Sequence, residues 1–530
     1  MNENNIFGRQ VYLDILEKRI NDFKEGYRQN IAIIGDESIG KTSLVFEFLR
    51  KFYDNSVITV YLEVRPESLA TFGKRFIGVL LYNFLVNSNI NLKEDLDFLI
   101  NKSYSYIPKT VDKIRVILKD LEKRKKDNIF FDLLSLCDLI YQETGKLSLV
   151  IMDEFHNFDN AQAKKLYSEW SKSLMVQKNT MYIILSSSVC RARALLSKEL
   201  SLLFGNFQVV EIEPFDAQTT EEYLSLKLEG INIDPELKNF LAHFTAGHPF
   251  YLEIIANLLL KSPQVDLVDL LEDIIFESSG ILNQRFHNYL KRFESGKHSD
   301  VHIAILYSVS RGQNKIKDLV HITHTPKKEL ESRINYLLSV DALSRNGDFL
   351  KINDRVFSFW LRFVYQQKLR SFTYDAQNQK SVFRKNIEDM VGEFLNSSGK
   401  SVFQRVKELL NLFADDSIQI EKKRLKLTHF REIKKVEFTN RGIREGLVCR
   451  SGESLWIIAF KPDVLNEIDI SEFARECKKF RYRLQKKIII TMREMDANSR
   501  LRALEEKIMT WDVDNLNQIL DLYSRPRIAI

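Results

Sequence analysis

The sequence has few cysteines and no segment that resembles a signal peptide or a membrane anchor. The 530-residue chain contains four cysteines, and no two of them have the spacing of a metal-binding or redox pair. They are Cys137, Cys190, Cys449 and Cys477. This usage favours a reducing compartment and argues against a zinc site. The first five residues are polar, and no apolar run approaches the length that spans a membrane, so we expect a cytoplasmic protein without a membrane partner.

Most of the chain also lacks an excess of charge of either sign. Residues 381–530 contain 29 lysines and arginines against 23 acidic residues, which accounts for the whole net charge of +6. A nucleic-acid-binding surface, if the protein has one, is therefore expected in that last part. The chain is too long for one hydrophobic core and contains no internal repeat or low-complexity tract, which predicts several globular domains.

A phosphate-binding loop is the strongest motif in the sequence. The apolar run Ile31–Ile34 predicts a buried strand, and a G-x-x-x-x-G-K-[ST] loop and the helical run Leu44–Leu49 follow it. The predicted nucleotide-binding residues of this stretch are Gly35, Asp36, Glu37, Ser38, Ile39, Gly40, Lys41, Thr42 and Ser43. Lys41 would lie against the outer phosphates of ATP, and Thr42 would give its hydroxyl to Mg²⁺. The alternative, an ordinary turn that carries a lysine, is disfavoured by the strand, loop and helix context.

A second motif, an acidic pair at the end of a strand, lies about 110 residues after this loop. The apolar run Leu147–Met152 predicts a strand that ends in Asp153 and Glu154. Asp153 would hold Mg²⁺ through water, and Glu154 would orient or deprotonate the attacking water. The sequence therefore predicts Lys41 and Glu154 as catalytic residues and Thr42 and Asp153 as the metal site. His156 is left open between a γ-phosphate sensor and a surface histidine.

The intervening pattern predicts a five-stranded sheet. Besides the two strands above, the β-rich runs are Val57–Val64, Met181–Leu185 and Phe207–Ile212. The long segment from Arg65 to Lys146 is expected to form helices. Its charged piece from Lys113 to Lys126 is either a solvated helix face or an arm that docks a partner.

Two short motifs resemble those of AAA+ and STAND ATPases. Phe7-Gly8-Arg9 resembles the opening segment of these enzymes, which lies over the adenine. Gly247-His248-Pro249 resembles the Gly-x-Pro turn of the archaeal-type STAND ATPases, which opens a lid helix that touches the nucleotide. Proline suits a helix start because it lacks the N–H donor that would be unpaired there. The resemblance implies that Gly8, Arg9 and Pro249 contact ATP.

The same resemblance gives a role to residues at the end of the strand Met181–Leu185. A polar residue in this position reports on the γ-phosphate in such ATPases, and here it would be Ser187. Arg191 and Arg193 follow. They are either arginine fingers for the nucleotide of a neighbouring subunit or ordinary helix-surface residues.

Residues 298–370 read as a winged helix. Three apolar-periodic helices precede a hairpin around Asn346-Gly347, and the aromatic run Phe357–Phe363 again resembles the archaeal-type ATPases. The basic residues that could contact duplex DNA are Lys327, Lys328, Arg333 and Arg345. Packing of this domain on the lid is the alternative.

The last 150 residues weakly resemble PD-(D/E)XK nucleases. Lys461 matches the lysine of that motif, but Ala459 and Leu447 stand where its acidic residues belong. Without two carboxylates a divalent metal cannot be held for phosphodiester attack, so we expect an inactive domain in which Glu388 is a relic. An unrelated α/β domain is the alternative. The basic stretch Lys478–Lys487 either binds nucleic acid or forms one solvated helix face.

Taken together, these features predict an α/β fold with an AAA+-like P-loop NTPase core. The expected domains are the core over residues 1–215, a helical lid over 216–297, a winged helix over 298–370 and an α/β domain over 371–530. The expected protein is an ATPase that binds ATP and Mg²⁺ and acts as a conformational switch of the STAND type. Its expected partner is another protein or further copies of itself. The alternative is a DNA-associated ATPase of the origin-recognition or mobile-element kind. An active nuclease is a third option, which Ala459 disfavours.

Overall fold

The computed structural model divides the chain into two compact units. The first comprises residues 1–215 together with His248–Phe250 and Ser339–Asp341, and the second comprises the rest. The structure describes residues 6–86, 94–123, 128–158, 163–200, 207–231, 234–262, 266–294, 299–370, 375–420, 423–439, 442–452, 454–480, 484–493 and 495–528.

A five-stranded, entirely parallel sheet forms the centre of the first unit. Its strands are β1 (Asn30–Ile34), β2 (Val57–Glu63), β3 (Leu147–Asp153), β4 (Thr180–Ser186) and β5 (Phe207–Glu211). Their order is β2-β3-β4-β1-β5. The carboxyl ends of β3, β4 and β1 therefore lie side by side, and the loops that follow these strands meet at one edge of the sheet.

Helices cover both faces of this sheet. They are α1 (Gln10–Lys24), α2 (Lys41–Lys51), α3 (Leu69–Val86), α4 (Leu96–Ser103), α5 (Pro108–Lys123), α6 (Ile129–Thr144), α7 (Ala163–Val176) and α8 (Val189–Lys198). Ile31 and Ile33 pack in one apolar cluster and Ala32 and Ile34 in another. A strand that is buried on both faces has a continuous apolar sequence, and such runs located these strands correctly. The predicted α/β core with five strands is confirmed.

Helix α3 departs from one expectation. Its 18 residues have a mean hydropathy of 1.3, so by length and composition it could cross a membrane. However, its buried side chains, among them Phe76, Leu80 and Phe84, pack into the apolar cluster of the first unit. This is the environment of a core helix of a globular domain.

The second unit begins with helices. In chain order these are α9 (Ala217–Lys227), α10 (Pro235–Thr245), α11 (Pro249–Lys261), α12 (Leu267–Leu271), α13 (Ile281–Glu294), α14 (Ser299–Ser310), α15 (Ile316–Thr323) and α16 (Lys327–Ser339). The hairpin β6 (Leu343–Asn346) and β7 (Phe349–Ile352) follows. Helices α14 to α16 and this hairpin occupy the positions that the sequence predicted for a winged helix. Contact with DNA stays a prediction.

The rest of the second unit contains both helices and strands. It contains α17 (Arg355–Trp360), α18 (Gln366–Arg370), α19 (Ala376–Ser398), α20 (Val402–Leu410), β8 (Asp416–Ile420), β9 (Lys423–Leu427), β10 (Glu432–Glu437), β11 (Glu445–Arg450), β12 (Leu455–Lys461), α21 (Glu467–Cys477), β13 (Leu484–Thr491), α22 (Ala497–Glu505), β14 (Met509–Trp511) and α23 (Val513–Leu522). Strands β8 and β9 form a hairpin. Strands β10 to β14 form a sheet in chain order, antiparallel up to β12 and parallel beyond it.

The residues of the nuclease-like motif are embedded in this last sheet. Lys461 is 8% exposed, and its Nζ lies 2.9 Å from both Asp469 Oδ2 and the carbonyl oxygen of Gly442. Ala459 is buried, and the Phe438 ring packs in the same apolar cluster. A Cβ on Gly446 would lie 2.4 Å from that ring. The lysine of the motif is thus engaged in an internal ion pair; the domain's relation to nucleases stays a prediction.

The structure corrects one expectation in this region. Lys478–Lys487 is not one helix, because Lys486 and Lys487 lie on strand β13 and Lys486 Nζ sits 4.6 Å from the Trp456 ring centroid. Arg481 and Arg483 lie outside the described residues.

Candidate nucleotide and magnesium site

The phosphate loop connects β1 to α2 through backbone that curls at two points. Ser38 and Gly40 have positive φ angles of 62° and 101°, and α2 begins at the next residue, Lys41. Gly35 is required by space, because a Cβ there would lie 2.6 Å from the carbonyl oxygen of Ile212. This path turns consecutive loop residues around one centre at the N-terminus of a helix, which is the geometry that binds phosphate.

Lys41 lies inside this loop. The side chain is buried, and its Nζ donates to the carbonyl oxygens of Gly35 at 3.0 Å and Asp36 at 2.7 Å. Burial lowers the pKa of Lys41, while Glu154 and Asp153 act in the opposite direction. The two acids of the second motif thus favour the charged form of Lys41, as the acids of a shared phosphate and metal site would.

The other loop residues divide into exposed and buried groups. Glu37, Ser38 and Ser43 are exposed, whereas the Ile39 side chain is packed in the core, so only its backbone is available to a ligand. Asp36 is partly buried. Burial raises its pKa, and the approach of Asp341 adds to this shift.

Thr42 and Asp153 meet directly. Thr42 Oγ1 donates to Asp153 Oδ2 at 2.7 Å, and the hydroxyl of Tyr61 donates to the same oxygen at 2.8 Å. Hydroxyl and carboxylate oxygens are the donor set that Mg²⁺ prefers, and Mg²⁺ needs only one or two protein ligands beside phosphate and water. The residues present therefore fit Mg²⁺.

Glu154 is directed toward the end of strand β4. Its Oε2 accepts hydrogen bonds from the backbone N and the Oγ of Ser187, both at 2.9 Å. His156 Nδ1 lies 3.1 Å from the same oxygen and 2.8 Å from Ser186 Oγ. Burial raises the pKa of Glu154, and the two bonds from Ser187 oppose this. Sequence reasoning did not anticipate that Ser187 and His156 would both contact this carboxylate, since strand pairing brings them together.

The segment before α1 is joined to the phosphate loop by Arg9. Its guanidinium donates to the carbonyl oxygens of Glu213 at 2.8 Å and Ile39 at 3.4 Å and lies 4.7 Å from the Phe215 ring centroid. Burial lowers the pKa of Arg9. Gly8, with φ at 64°, turns the chain just before it. Arg9 thus braces the loop through backbone carbonyls, and its contact with ATP stays a prediction.

Three further predicted residues can be located. Pro249 is the first residue of α11 and follows Gly247, whose φ is 73°. Arg193 lies on α8 and forms an ion pair with Glu211 of β5. Arg191 lies on the same helix. Their roles toward nucleotide, as lid turn and arginine finger, stay predictions.

Comparison with known proteins finds only distant structural similarity. No protein-family model and no curated protein matches the chain. Among solved structures, a Walker-type ATPase of Pyrococcus abyssi is similar over 68% of this chain and 97% of its own, with 17% identity and a TM-score of 0.48. The ORC2 protein of Aeropyrum pernix, solved in ADPNP-ADP complexes, has 11% identity, coverages of 74% and 98%, and a TM-score of 0.39. The ORC1 protein of the same organism, solved in complex with DNA, has 12% identity, coverages of 68% and 93%, and a TM-score of 0.33.

These similarities are distant, so the fold assignment depends on the chain's own topology. The parallel order β2-β3-β4-β1-β5, with a phosphate loop after β1 and an acidic pair after β3, is that of an AAA+-like P-loop NTPase core. A fold does not identify a substrate or a partner, so both must be argued from the chemistry of the site.

Proposed function

We propose that this chain is a Mg²⁺-dependent ATPase that acts as a nucleotide-driven conformational switch. One observation carries the proposal, namely the convergence of five side chains at the carboxyl edge of the first sheet. They are Lys41, Thr42, Asp153, Glu154 and Ser187. Their types and contacts supply a phosphate cradle, a metal site and a general base in one place.

Binding would use the loop and its neighbours. The amide groups from Gly35 to Thr42 and the ammonium of Lys41 would bind the phosphates of ATP, and Thr42 and Asp153 would hold Mg²⁺. The ion, when bound, neutralises charge on the phosphate oxygens. Gly8 and Arg9 would border the adenine, and the turn at Pro249 would let the helices after it respond to the nucleotide.

Hydrolysis would depend on Glu154. This carboxylate would orient the attacking water and accept its proton, for which it must be ionised. In the structure its Oε2 is engaged by Ser187 and His156. A base that must first leave such partners gives slow turnover until a partner or a conformational change releases it. Slow, stimulated hydrolysis is the behaviour of a switch rather than of a motor.

A DNA-associated ATPase is the second candidate, favoured by the exposed start of α16. Lys327 and Lys328 are both exposed there. One of the distantly similar proteins, ORC1 of Aeropyrum pernix, was solved in complex with DNA. In this proposal duplex DNA would lie against α16 and its phosphates would contact these lysines.

Hydrolysis assays with and without duplex DNA test both candidates. The wild-type protein should hydrolyse ATP only with Mg²⁺, and Glu154→Gln should abolish turnover while ATP still binds. DNA stimulation that falls steeply with salt and is lost in Lys327→Glu/Lys328→Glu, but not in the exposed-lysine control Lys102→Glu, would favour the second candidate. Equal rates for wild type and Glu154→Gln would overturn the ATPase proposal.

A further inference from the structure

The hydroxyl of Tyr61 contacts Asp153, and neither the phosphate-loop motif nor the acidic motif assigns a role to this contact. We infer that Tyr61 is a positioning residue that holds the Asp153 carboxylate in the orientation that binds Mg²⁺, an inference that rests on the proposed function. Tyr61 lies on β2 and reaches the end of β3 from the neighbouring strand.

Both carboxylate oxygens of Asp153 are engaged. Oδ2 accepts from Thr42 Oγ1 at 2.7 Å and from the Tyr61 hydroxyl at 2.8 Å, and Oδ1 accepts from the backbone N of Glu154 at 2.9 Å. The Asp153 side chain is buried. A carboxylate with three donors on two oxygens has a single favourable orientation, and the Tyr61 hydroxyl is the donor from outside both sequence motifs.

Strand register explains how Tyr61 reaches this position. Glu63 pairs with Asp153 and Tyr61 with Ile151, so the tyrosine starts two residues before the acid on the adjacent strand. The long phenol side chain spans that offset by leaning along the strand. Its ring packs against Phe46 with the centroids 4.8 Å apart. Phe46 lies four residues after Thr42 on α2, so one helix supplies both the metal-site hydroxyl and the ring that supports Tyr61.

The hydroxyl of Tyr61 acts as a donor at every physiological pH. A phenol ionises only at a pH of about 10, so at neutral pH its hydroxyl is a hydrogen-bond donor to the carboxylate. Because the Thr42 hydroxyl donates its hydrogen bond to Asp153, the lone pairs of Thr42 Oγ1 remain available to a cation. Tyr61 strengthens this arrangement by preventing rotation of the carboxylate away from Thr42. Partners of this kind, one shell outside the ligands, typically contribute about 10- to 100-fold to metal affinity.

Tyr61→Phe tests this inference, because it removes the hydroxyl and keeps the ring against Phe46. The measurement is the binding of a fluorescent ATP analogue by the full chain, first in EDTA and then as free Mg²⁺ is increased. We expect the half-saturating Mg²⁺ concentration to rise about tenfold while the affinity in EDTA stays unchanged. The exposed tyrosine variant Tyr53→Phe is the matched control and should behave like wild type. Phe46→Leu, which keeps the hydroxyl but loosens its support, should give a smaller rise.

The outcomes separate the inference from the proposed function. An unchanged Mg²⁺ dependence in Tyr61→Phe overturns the inference and leaves the ATPase proposal intact. An equal loss of affinity with and without Mg²⁺ also overturns it, since this indicates a structural role for the hydroxyl. If the wild-type protein binds no nucleotide under either condition, the proposed function fails and the inference fails with it.

Discussion

Glu154 adopts a backbone conformation that residues other than glycine seldom use. Its φ is 52°, in the left-handed region, directly after the buried Asp153. Strain of this kind costs about 1 to 3 kcal/mol and persists where the surroundings enforce it. Here the hydrogen bonds from Ser187 and the contact with His156 hold the carboxylate. The residue that would activate water therefore has both a strained backbone and a carboxylate held by neighbouring donors.

Removal of the Ser187 hydroxyl should change the pH dependence of hydrolysis. Burial raises the pKa of Glu154 and the bonds from Ser187 lower it, so Ser187→Ala should raise this pKa further. A general base must be ionised, and the acidic limb of kcat should therefore move to higher pH, because the ionised carboxylate loses one of its hydrogen-bond donors. The measurement is kcat against pH, with Ser197→Ala on α8 as the control. A limb that stays in place would contradict the assignment of Glu154 as the base.

The hairpin β6–β7 packs against the hairpin β8–β9 through its turn. Asn346 exchanges two hydrogen bonds with the backbone of Gln419, and Asp348 exchanges two with Ser417. Gly347 between them has φ at 61°, and a Cβ there would lie 1.9 Å from the carbonyl oxygen of Ser417. The tip of this predicted wing is thus engaged in a contact within the second unit, and DNA contact by the exposed Arg345 of β6 stays a prediction.

Two glycine substitutions should have opposite effects on stability. Gly347→Ala forces a Cβ into a backbone contact and should destabilise the second unit by roughly 2 to 4 kcal/mol. Gly392→Ala, inside helix α19 with nothing within 4 Å of the new Cβ, should stabilise it by about 0.5 to 1 kcal/mol. Denaturant unfolding followed by circular dichroism measures both changes. Equal effects of the two variants would show that the hairpin contact does not form in solution.

The site residues that could be predicted from the sequence lie in short local motifs, whereas the contact that was missed depends on the pairing of distant strands. Lys41, Thr42, Asp153 and Glu154 follow from motifs of a few consecutive residues. Tyr61 could not be found that way, because its contact depends on the register between β2 and β3.

In the second unit, one element was missed and one segment was assigned to the wrong kind of structure. The hairpin β8–β9 was missed, although Ile418 and Ile420 and then Leu425 and Leu427 alternate with polar residues as a half-buried strand requires. The stretch Lys478–Lys487 was wrongly considered as one helix face because its charges suggested solvent. Lys486 instead lies over Trp456, and burial lowers its pKa to about 8.

A buried charge cluster joins distant parts of the second unit. Asp521 of α23 lies 2.6 Å from Lys351 Nζ of β7 and 2.7 Å from Arg527 Nη2, and Arg355 Nη1 of α17 is 3.7 Å away. Arg355 also contacts His243 of α10 at 2.9 Å. Burial alone would raise the pKa of Asp521, but the three cations outweigh it and hold the pKa far below its usual range. One carboxylate thus links the predicted lid, the hairpin and the C-terminal segment.

Loss of this carboxylate should destabilise the second unit as a whole. Asp521→Asn leaves three cations without their anion and should cost about 3 to 5 kcal/mol of unfolding free energy at pH 7. A lowered carboxyl pKa stabilises the fold above the unfolded value of about 4, and this stabilisation is lost as the pH falls below it. The gap between wild type and variant should therefore narrow in acid. Urea unfolding at several pH values measures it, with Asp389→Asn, an exposed acid on α19, as the control. A gap that does not vary with pH would contradict this account.

Binding of ATP with Mg²⁺ tests the central claim most directly. Isothermal titration calorimetry of the full chain should give one site per molecule for the wild type. Lys41→Ala should bind about a hundredfold more weakly, since it loses charge-assisted hydrogen bonds to phosphate worth roughly 3 kcal/mol. Absence of binding by the wild type, or equal affinities for the two proteins, would show that the loop between β1 and α2 is not a nucleotide site.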